Sequence, residues 1–247
     1  MDDGAPDLDT SLEMGRIAET DGIGTIVATP HIVEGYYDGS DLGKRLGDLS
    51  AKFSESGIEL RLVCGAEVPM SACLNGDGSF LKPLTISGRG YLLMETADTT
   101  FEQLARAVYS VRLCGLKPIL AHPERASFVQ HEPARLTELI DRDDVYCQVT
   151  AGSLEGVFGK AMRKTGIALA KAGMIHLVAS DGHSTGRRSP RISACYRILS
   201  QEVGETAARR IMVENPSLVL AGERLAGLER KTTSSRHSLF ARLIHRS

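Results

Sequence analysis

Two residues that commonly bind metal ions, Asp181 and His183, follow the apolar run at residues 175–179. This run has the composition of a short buried strand. Side chains alternate in direction along an extended chain, so Asp181 and His183 point to the same side and could share one ion. The pair alone is weak evidence for a metal site. The evidence becomes stronger if other strands also end in residues that bind metals.

Six segments are predicted to be strands, with helices between them. The strands cover residues 23–28, 59–66, 90–94, 118–121, 145–150 and 175–179. This alternation is typical of βα units, and it predicts an α/β fold with parallel strands in a barrel or a doubly wound sheet. A chain of 247 residues is long enough for one such barrel.

Two further expectations concern irregular parts of the chain. A small strand is predicted near Leu84, inside a glycine-rich loop. Helices are predicted near residues 192–203 and 205–213, and Asn215-Pro216 is expected to break the second one because proline cannot donate a backbone hydrogen bond.

Five of the six predicted strands end close to a residue type that binds metals. These residues are His31, Glu67, Glu95, His122 and the pair Asp181 and His183. In parallel α/β folds the carboxyl ends of the strands carry the chemistry. Structural packing alone is a poor explanation for this recurrence. Buried charges without partners at converging positions would lower the stability of the fold. The pattern therefore predicts a polynuclear metal site.

The ligand types and two nearby arginines indicate which chemistry this site would support. Mixed nitrogen and oxygen donors suit Mn, Fe or Zn. Two or three such ions could bind phosphoryl oxygens and lower the pKa of a bridging water. Arg125 lies three residues after His122, and Arg188 lies five residues after His183. Guanidinium groups there would bind phosphate oxygens, so the site is suited to phosphoester hydrolysis.

Composition limits the class of protein. The chain is 42% hydrophobic and contains no apolar run of the roughly 20 residues that a membrane span needs. Its five scattered cysteines favour a reducing cytoplasm over a disulfide framework. The net charge is −2, with six Lys or Arg against two Glu in residues 223–247. The remaining body is acidic and gives no support to nucleic-acid binding.

The chain is predicted to divide into a domain at residues 1–222 and a basic tail at residues 223–247. The tail has an apolar stripe at helical spacing, which could contact an anionic membrane surface or an acidic partner weakly. A disordered basic extension is the other interpretation. The stripe consists of Leu239, Phe240, Leu243 and Ile244.

Several segments, taken in order, resemble one family. The segments are Asp2-Asp3-Gly4, Ala28-Thr29-Pro30-His31, Gly65-Ala66-Glu67, Ala121-His122-Pro123-Glu124-Arg125, Ala151-Gly152-Ser153-Leu154-x-Gly156-x-Phe158-Gly159 and Ala179-Ser180-Asp181-Gly182-His183. They look like the PHP-type (polymerase and histidinol phosphatase) protein-tyrosine phosphatases of bacterial capsule and exopolysaccharide loci. The resemblance spans roughly residues 2–222.

The resemblance implies a distorted (β/α)7 TIM-like barrel and a phosphatase that depends on divalent metal ions, typically Mn(2+). Its implied substrate is the phosphotyrosine tail of a bacterial tyrosine kinase that controls polysaccharide synthesis. Arg125 and Arg188 match phosphate-binding arginines, which with His122 and Asp181 form the predicted catalytic set. The implied metal ligands are Asp3, His31, Glu67, Glu95, His122, Asp181 and His183.

Two rival functions and one departure from the family accompany this expectation. The rivals are a PHP phosphoesterase for a small substrate such as histidinol phosphate, and a truncated, inactive domain that only binds.

Family members begin with a strand that carries His-x-His ahead of the Asp-Asp-Gly turn. This chain begins at Met1, just before that turn. Either the start codon is assigned too late, or the chain lacks the first strand of the barrel, which would impair activity.

Overall fold

The seven strands in the described part of the chain each run parallel to the strand they pair with. The structure is a computed structural model that describes residues 3–33, 39–96 and 99–225. The strands in chain order are β1 Thr25–Ala28, β2 Arg61–Cys64, β3 Glu67–Val68, β4 Tyr91–Met94, β5 Lys117–Ala121, β6 Tyr146–Thr150 and β7 Leu177–Ala179. This confirms the predicted α/β class and the predicted positions of the strands.

The strands form two sheets whose order follows the sequence. β1 pairs with β2, and β3 to β7 form a five-stranded sheet. The second predicted strand is interrupted after β2 and resumes as β3. There His31 forms a parallel bridge with Glu67, which continues the β1–β2 pairing. Closure into a barrel stays a prediction.

Helices connect the strands, as the βα pattern predicts. They are α1 Leu8–Thr20, α2 Leu42–Glu55, α3 Met70–Asn75, α4 Gly78–Leu81, α5 Phe101–Leu113, α6 Ser127–His131, α7 Pro133–Asp143, α8 Ala151–Glu155, α9 Lys160–Lys171, α10 Ser193–Val203, α11 Glu205–Arg209 and α12 Asn215–Ala221. None of the described helices is long and apolar enough to cross a membrane.

The alternation of side chains along the central strands divides the core in two. Leu92 of β4 and Leu120 of β5 pack in the larger cluster against the helices. Tyr91 of β4 and Ile119 of β5 face the other side of the sheet and pack in a smaller cluster. Both faces of the sheet are therefore buried, as is expected for parallel strands. This burial fixes the register of the strands, and with it the position of their carboxyl ends.

Two predictions about irregular segments were wrong. No strand forms near Leu84: residues Lys82–Leu84 form a 3-10 turn, and Ile86 makes only an isolated antiparallel bridge to Tyr91. Asn215-Pro216 does not break a helix, since Arg210–Glu214 form a π-helical segment that joins α11 to α12. Proline lies in the first turn of α12, where a missing N–H is tolerated.

Four of the seven histidines are not among the site residues named from the sequence, and the two of these that the structure describes have ordinary roles. His176 is buried, and its Nδ1 accepts a hydrogen bond of 3.1 Å from the backbone N–H of Cys147. Burial lowers the pKa of His176 to about 4, so the ring is neutral and stays an acceptor at neutral pH. His131 is exposed on α6. The other two, His237 and His245, lie outside the described residues.

The first residues of the predicted tail contact the body. The hydroxyl of Tyr91 donates to the carbonyl oxygen of Glu223 at 2.6 Å, and Leu225 is buried in the smaller core cluster. Arg224 forms an ion pair with Asp144 at 2.9 Å. The apolar stripe predicted at residues 239–244 lies outside the described residues, so the tail and its boundary stay predictions.

Candidate metal centre

The predicted site residues are carried by the carboxyl ends of the strands. Glu95 follows β4, His122 follows β5, and Asp181 comes two residues after β7. Glu67 differs from expectation, because it opens the short strand β3 rather than following a strand end. His31 lies beside it through the parallel bridge. The pairing of neighbouring strands therefore brings together residues far apart in the sequence.

Asp3, His31 and His183 form a first group of potential ligands. One ligand atom from each lies within 4.8 Å of the others. Asp3 Oδ1 is 3.1 Å from His183 Nε2 and 3.8 Å from His31 Nε2. Partial burial raises the pKa of Asp3, but the charges of His183 and Arg188 outweigh this effect and hold that pKa below its usual value. The group thus offers one carboxylate and two imidazoles to a cation.

A second group consists of His31, Glu67 and Glu95, whose ligand atoms also lie within 4.8 Å of one another. Glu67 is buried, and Glu95 and His31 are partly buried. Two carboxylates this close repel each other, and a cation between them would relieve that repulsion. His31 belongs to both groups, so the two candidate sites are contiguous.

His122 joins this centre through Glu67. Its Nε2 lies 3.0 Å from Glu67 Oε1, and its buried Nδ1 has no hydrogen-bond partner among the described residues. Burial lowers the pKa of His122, but the hydrogen bond to Glu67 and the charge of that carboxylate raise the net value above the usual one. A buried imidazole nitrogen without a partner is a suitable metal ligand.

Asp181 contacts both arginines and one of the candidate metal ligands. Arg125 Nη2 donates to its Oδ2, and Arg188 Nη2 donates to its Oδ1 at 3.0 Å. Arg188 also reaches Asp3 Oδ2 at 3.3 Å, and His183 Nδ1 lies 3.7 Å from Asp181 Oδ1. Neither Asp181 nor His122 belongs to either ligand group, so their predicted roles as ligands stay predictions.

Backbone strain marks the same two residues. His122 has φ of 36° and Asp181 has φ of 52°. Both angles lie in the left-handed region, which costs a non-glycine residue about 1–3 kcal/mol. Such strain clusters at functional sites, where the surrounding structure holds a side chain in a required direction. The two strained turns direct these side chains toward Glu67 and toward the arginines.

Two residues that support the site were missed by sequence reasoning. Glu124 is fully buried, and its Oε1 accepts a hydrogen bond of 3.1 Å from the backbone N–H of Thr150. Burial raises the pKa of Glu124 despite this hydrogen bond. The hydroxyl of Thr150 accepts from Arg125 Nη2 at 3.2 Å. The signal was present, because Thr150 ends the fifth predicted strand and Glu124 precedes Arg125.

The fold and the site together define a parallel α/β protein with a candidate polynuclear metal centre beside two arginines. The family model described as "Capsular polysaccharide synthesis, CpsB/CapC" matches residues 1–221. The chain belongs to this family, which confirms the resemblance drawn from its sequence.

Relatives with assigned activities cover most of this chain. Tyrosine-protein phosphatase YwqE of Bacillus subtilis is 31% identical over 226 residues, which is 90% of this chain and 88% of the relative. Tyrosine-protein phosphatase CpsB of Streptococcus pneumoniae is 25% identical over 228 residues, or 89% of this chain and 93% of the relative.

A solved structure is similar over nearly its whole length. It comes from work on YwqE from Bacillus subtilis and CpsB from Streptococcus pneumoniae, described as metal-dependent tyrosine phosphatases. It matches with a TM-score of 0.86 and 29% identity, and the match covers 95% of each chain.

Proposed function

We propose that this protein is a metal-dependent protein-tyrosine phosphatase. The observation that carries the proposal is the pair of ligand groups that share His31, next to two arginines that converge on Asp181. The first feature suits divalent cations and the second suits a phosphoryl group. The activities assigned to YwqE and CpsB support the same reaction.

The donor set fits a divalent metal. The three imidazoles and four carboxylates of the proposed ligand set are hard or borderline donors, which suit Mn, Fe or Zn better than soft metals. We propose Mn(2+), in two or three sites. Asp3, His31 and His183 would hold one ion, and His31, Glu67 and Glu95 a second. His122 is proposed as an additional ligand on the basis of its partnerless Nδ1, and Asp181 on the basis of its position 3.7 Å from His183 Nδ1.

Metal ions bound there would supply Lewis-acid stabilisation of the phosphoryl oxygens and an activated water. The protein's own groups would bind and orient the substrate. Arg125 and Arg188 would each contact phosphoryl oxygens, and their guanidinium planes are oriented by the two oxygens of Asp181. The leaving group is a phenol with a pKa near 10, so it departs more readily than an alkoxide and needs little help from a general acid.

The proposed substrate is the phosphotyrosine tail of a bacterial tyrosine kinase that regulates capsular or exopolysaccharide synthesis. The family description and the activities of the relatives support this choice. We further propose that the reaction takes place in the cytoplasm, where the five free thiols would remain reduced. Neither proposal involves nucleic acid, in keeping with the acidic body of the chain.

A comparison of substrates tests the proposed function. Purified protein with added Mn(2+) is expected to release phosphate from a phosphotyrosine peptide with a kcat/KM at least about tenfold above that for histidinol phosphate, since a phenol is the better leaving group. A phosphoserine peptide of the same sequence is the matched control and is expected to react slowly. Faster turnover of histidinol phosphate, or binding of the peptide without turnover, would contradict the proposal.

A further inference from the structure

The ring of Phe158 lies against the guanidinium of Arg125. The Cζ atom of Arg125 is 4.7 Å from the centroid of the ring, which is within the range of a cation–π contact. Nη2 of the same guanidinium donates to Asp181 and to the hydroxyl of Thr150. Hydrogen bonds therefore hold Nη2 in place, and the Cζ atom of the guanidinium lies over the aromatic ring.

Phe158 is itself held in place by the loop that follows α8. A Cβ atom on Gly152 would lie 2.8 Å from Cε2 of Phe158, so the ring packs directly against this glycine. The backbone N–H of Val157 donates to the carbonyl oxygen of Gly152 at 2.8 Å. The carbonyl oxygen of Val157 accepts from Arg187 Nη2 at 2.6 Å. These contacts give the ring a fixed position beside the site.

The remaining donors of Arg125 are only partly used by the protein. Its Nε is buried and has no hydrogen-bond partner in the part of the chain that the structure describes. A buried donor without a partner carries an uncompensated desolvation cost, which a hydrogen bond to an anion would relieve. A guanidinium whose plane is fixed in advance also loses less conformational freedom when the anion binds.

We propose that Phe158 is a positioning residue for Arg125. Its ring holds the guanidinium plane so that the donors not used by Asp181 and Thr150 are directed at the phosphoryl group. This inference deepens the proposed function and rests on the role of Arg125 in binding phosphate. It also gives a physical reason for the sequence between Gly152 and Gly159, which fixes the aromatic ring on one side of the site.

The test compares Phe158→Leu with Phe158→Tyr in the Mn(2+)-loaded protein. Leucine keeps an apolar side chain but has no π face, so we expect kcat/KM for a phosphotyrosine peptide and the affinity for inorganic phosphate to fall about tenfold. Tyrosine keeps the π face and is expected to preserve both values. Phe101→Leu is the matched control. It removes a similar contact, in which Arg135 Cζ lies 4.0 Å from the centroid of the Phe101 ring. Arg135 pairs with Glu102, which is outside the site.

A double-mutant cycle with Arg125→Lys separates positioning from a general loss of structure. If Phe158 acts through Arg125, Phe158→Leu has little further effect once Arg125 is replaced. Gly152→Ala, which must displace the ring, provides a second variant with an expected loss in the same direction. The inference would be overturned if Phe158→Leu lowered kcat/KM equally in the wild type and in the Arg125→Lys variant. Wild-type affinity for inorganic phosphate in Phe158→Leu would also overturn it.

The phosphate-binding measurement keeps this inference distinct from the proposed function. A wild-type protein that binds inorganic phosphate but does not hydrolyse phosphotyrosine would contradict the function alone. An active wild type with an unaffected Phe158→Leu variant would contradict the positioning role alone.

Discussion

Replacing His31 by alanine is expected to reduce phosphate release from a phosphotyrosine peptide by at least about 100-fold. His31 contributes a ligand atom to both groups, with Asp3 and His183 on one side and Glu67 and Glu95 on the other. Loss of the shared imidazole should therefore weaken both candidate sites together. The measurement is kcat/KM at saturating Mn(2+), combined with metal content after dialysis.

His131→Ala is the matched control for this variant, because it removes an exposed imidazole on α6. Its activity and metal content should equal those of the wild type. The melting temperature without added metal should be similar in all three proteins. Retention of both metal and activity by the His31 variant would contradict the assignment of the two ligand groups.

Replacing Arg125 by lysine should lower kcat/KM for the phosphotyrosine peptide by about 10²–10³, as removal of a donor to a developing oxyanion does elsewhere. Lysine keeps the positive charge but lacks the planar fork. It cannot reproduce the contacts with Asp181 and Thr150 while still facing a phosphate. Steady-state kinetics with the Mn(2+)-loaded protein provide the measurement.

Metal content separates this effect from damage to the metal centre. Arg125 is not a proposed ligand, so the lysine variant should bind as much Mn(2+) as the wild type. Arg209→Lys, at an exposed arginine paired with Glu214, serves as a control and should leave the kinetics unchanged. Activity close to that of the wild type in Arg125→Lys would remove this arginine from the proposed mechanism.

The sequence was most informative where periodicity and topology agree. The strands before His122 and Asp181 were predicted within a few residues, because short apolar runs in alternation with helices have few other solutions. Once the strands are parallel, their carboxyl ends must lie at one edge of a sheet. The gathering of distant histidines and carboxylates could therefore be expected from the sequence alone.

The sequence was less informative where side-chain direction depends on local backbone geometry. The left-handed angles of His122 and Asp181 leave no pattern in the sequence. As a result, the pairing of Asp181 with both arginines could not be distinguished from direct metal ligation. The π-helical segment before Asn215 was also missed. Pro216 was expected to end a helix, but a proline is tolerated in the first turn of the helix that follows.

The sequence was also uninformative about buried residues that hold the site residues in place. Glu124 was visible only as part of a motif, since a carboxylate in a sequence is exposed far more often than buried. Its contact with Thr150 depends on the distance between β5 and β6, which the sequence does not specify. Phe158 likewise gained a physical role only when its ring was found beside Arg125.

Anomalous X-ray scattering from crystals soaked in Mn(2+) tests the central claim most directly. We predict one anomalous peak within about 2.5 Å of donor atoms of Asp3, His31 and His183. A second peak is predicted at the same range from His31, Glu67 and Glu95. Ordered side chains at both groups without anomalous density, or Mn(2+) bound only elsewhere on the protein, would contradict the account.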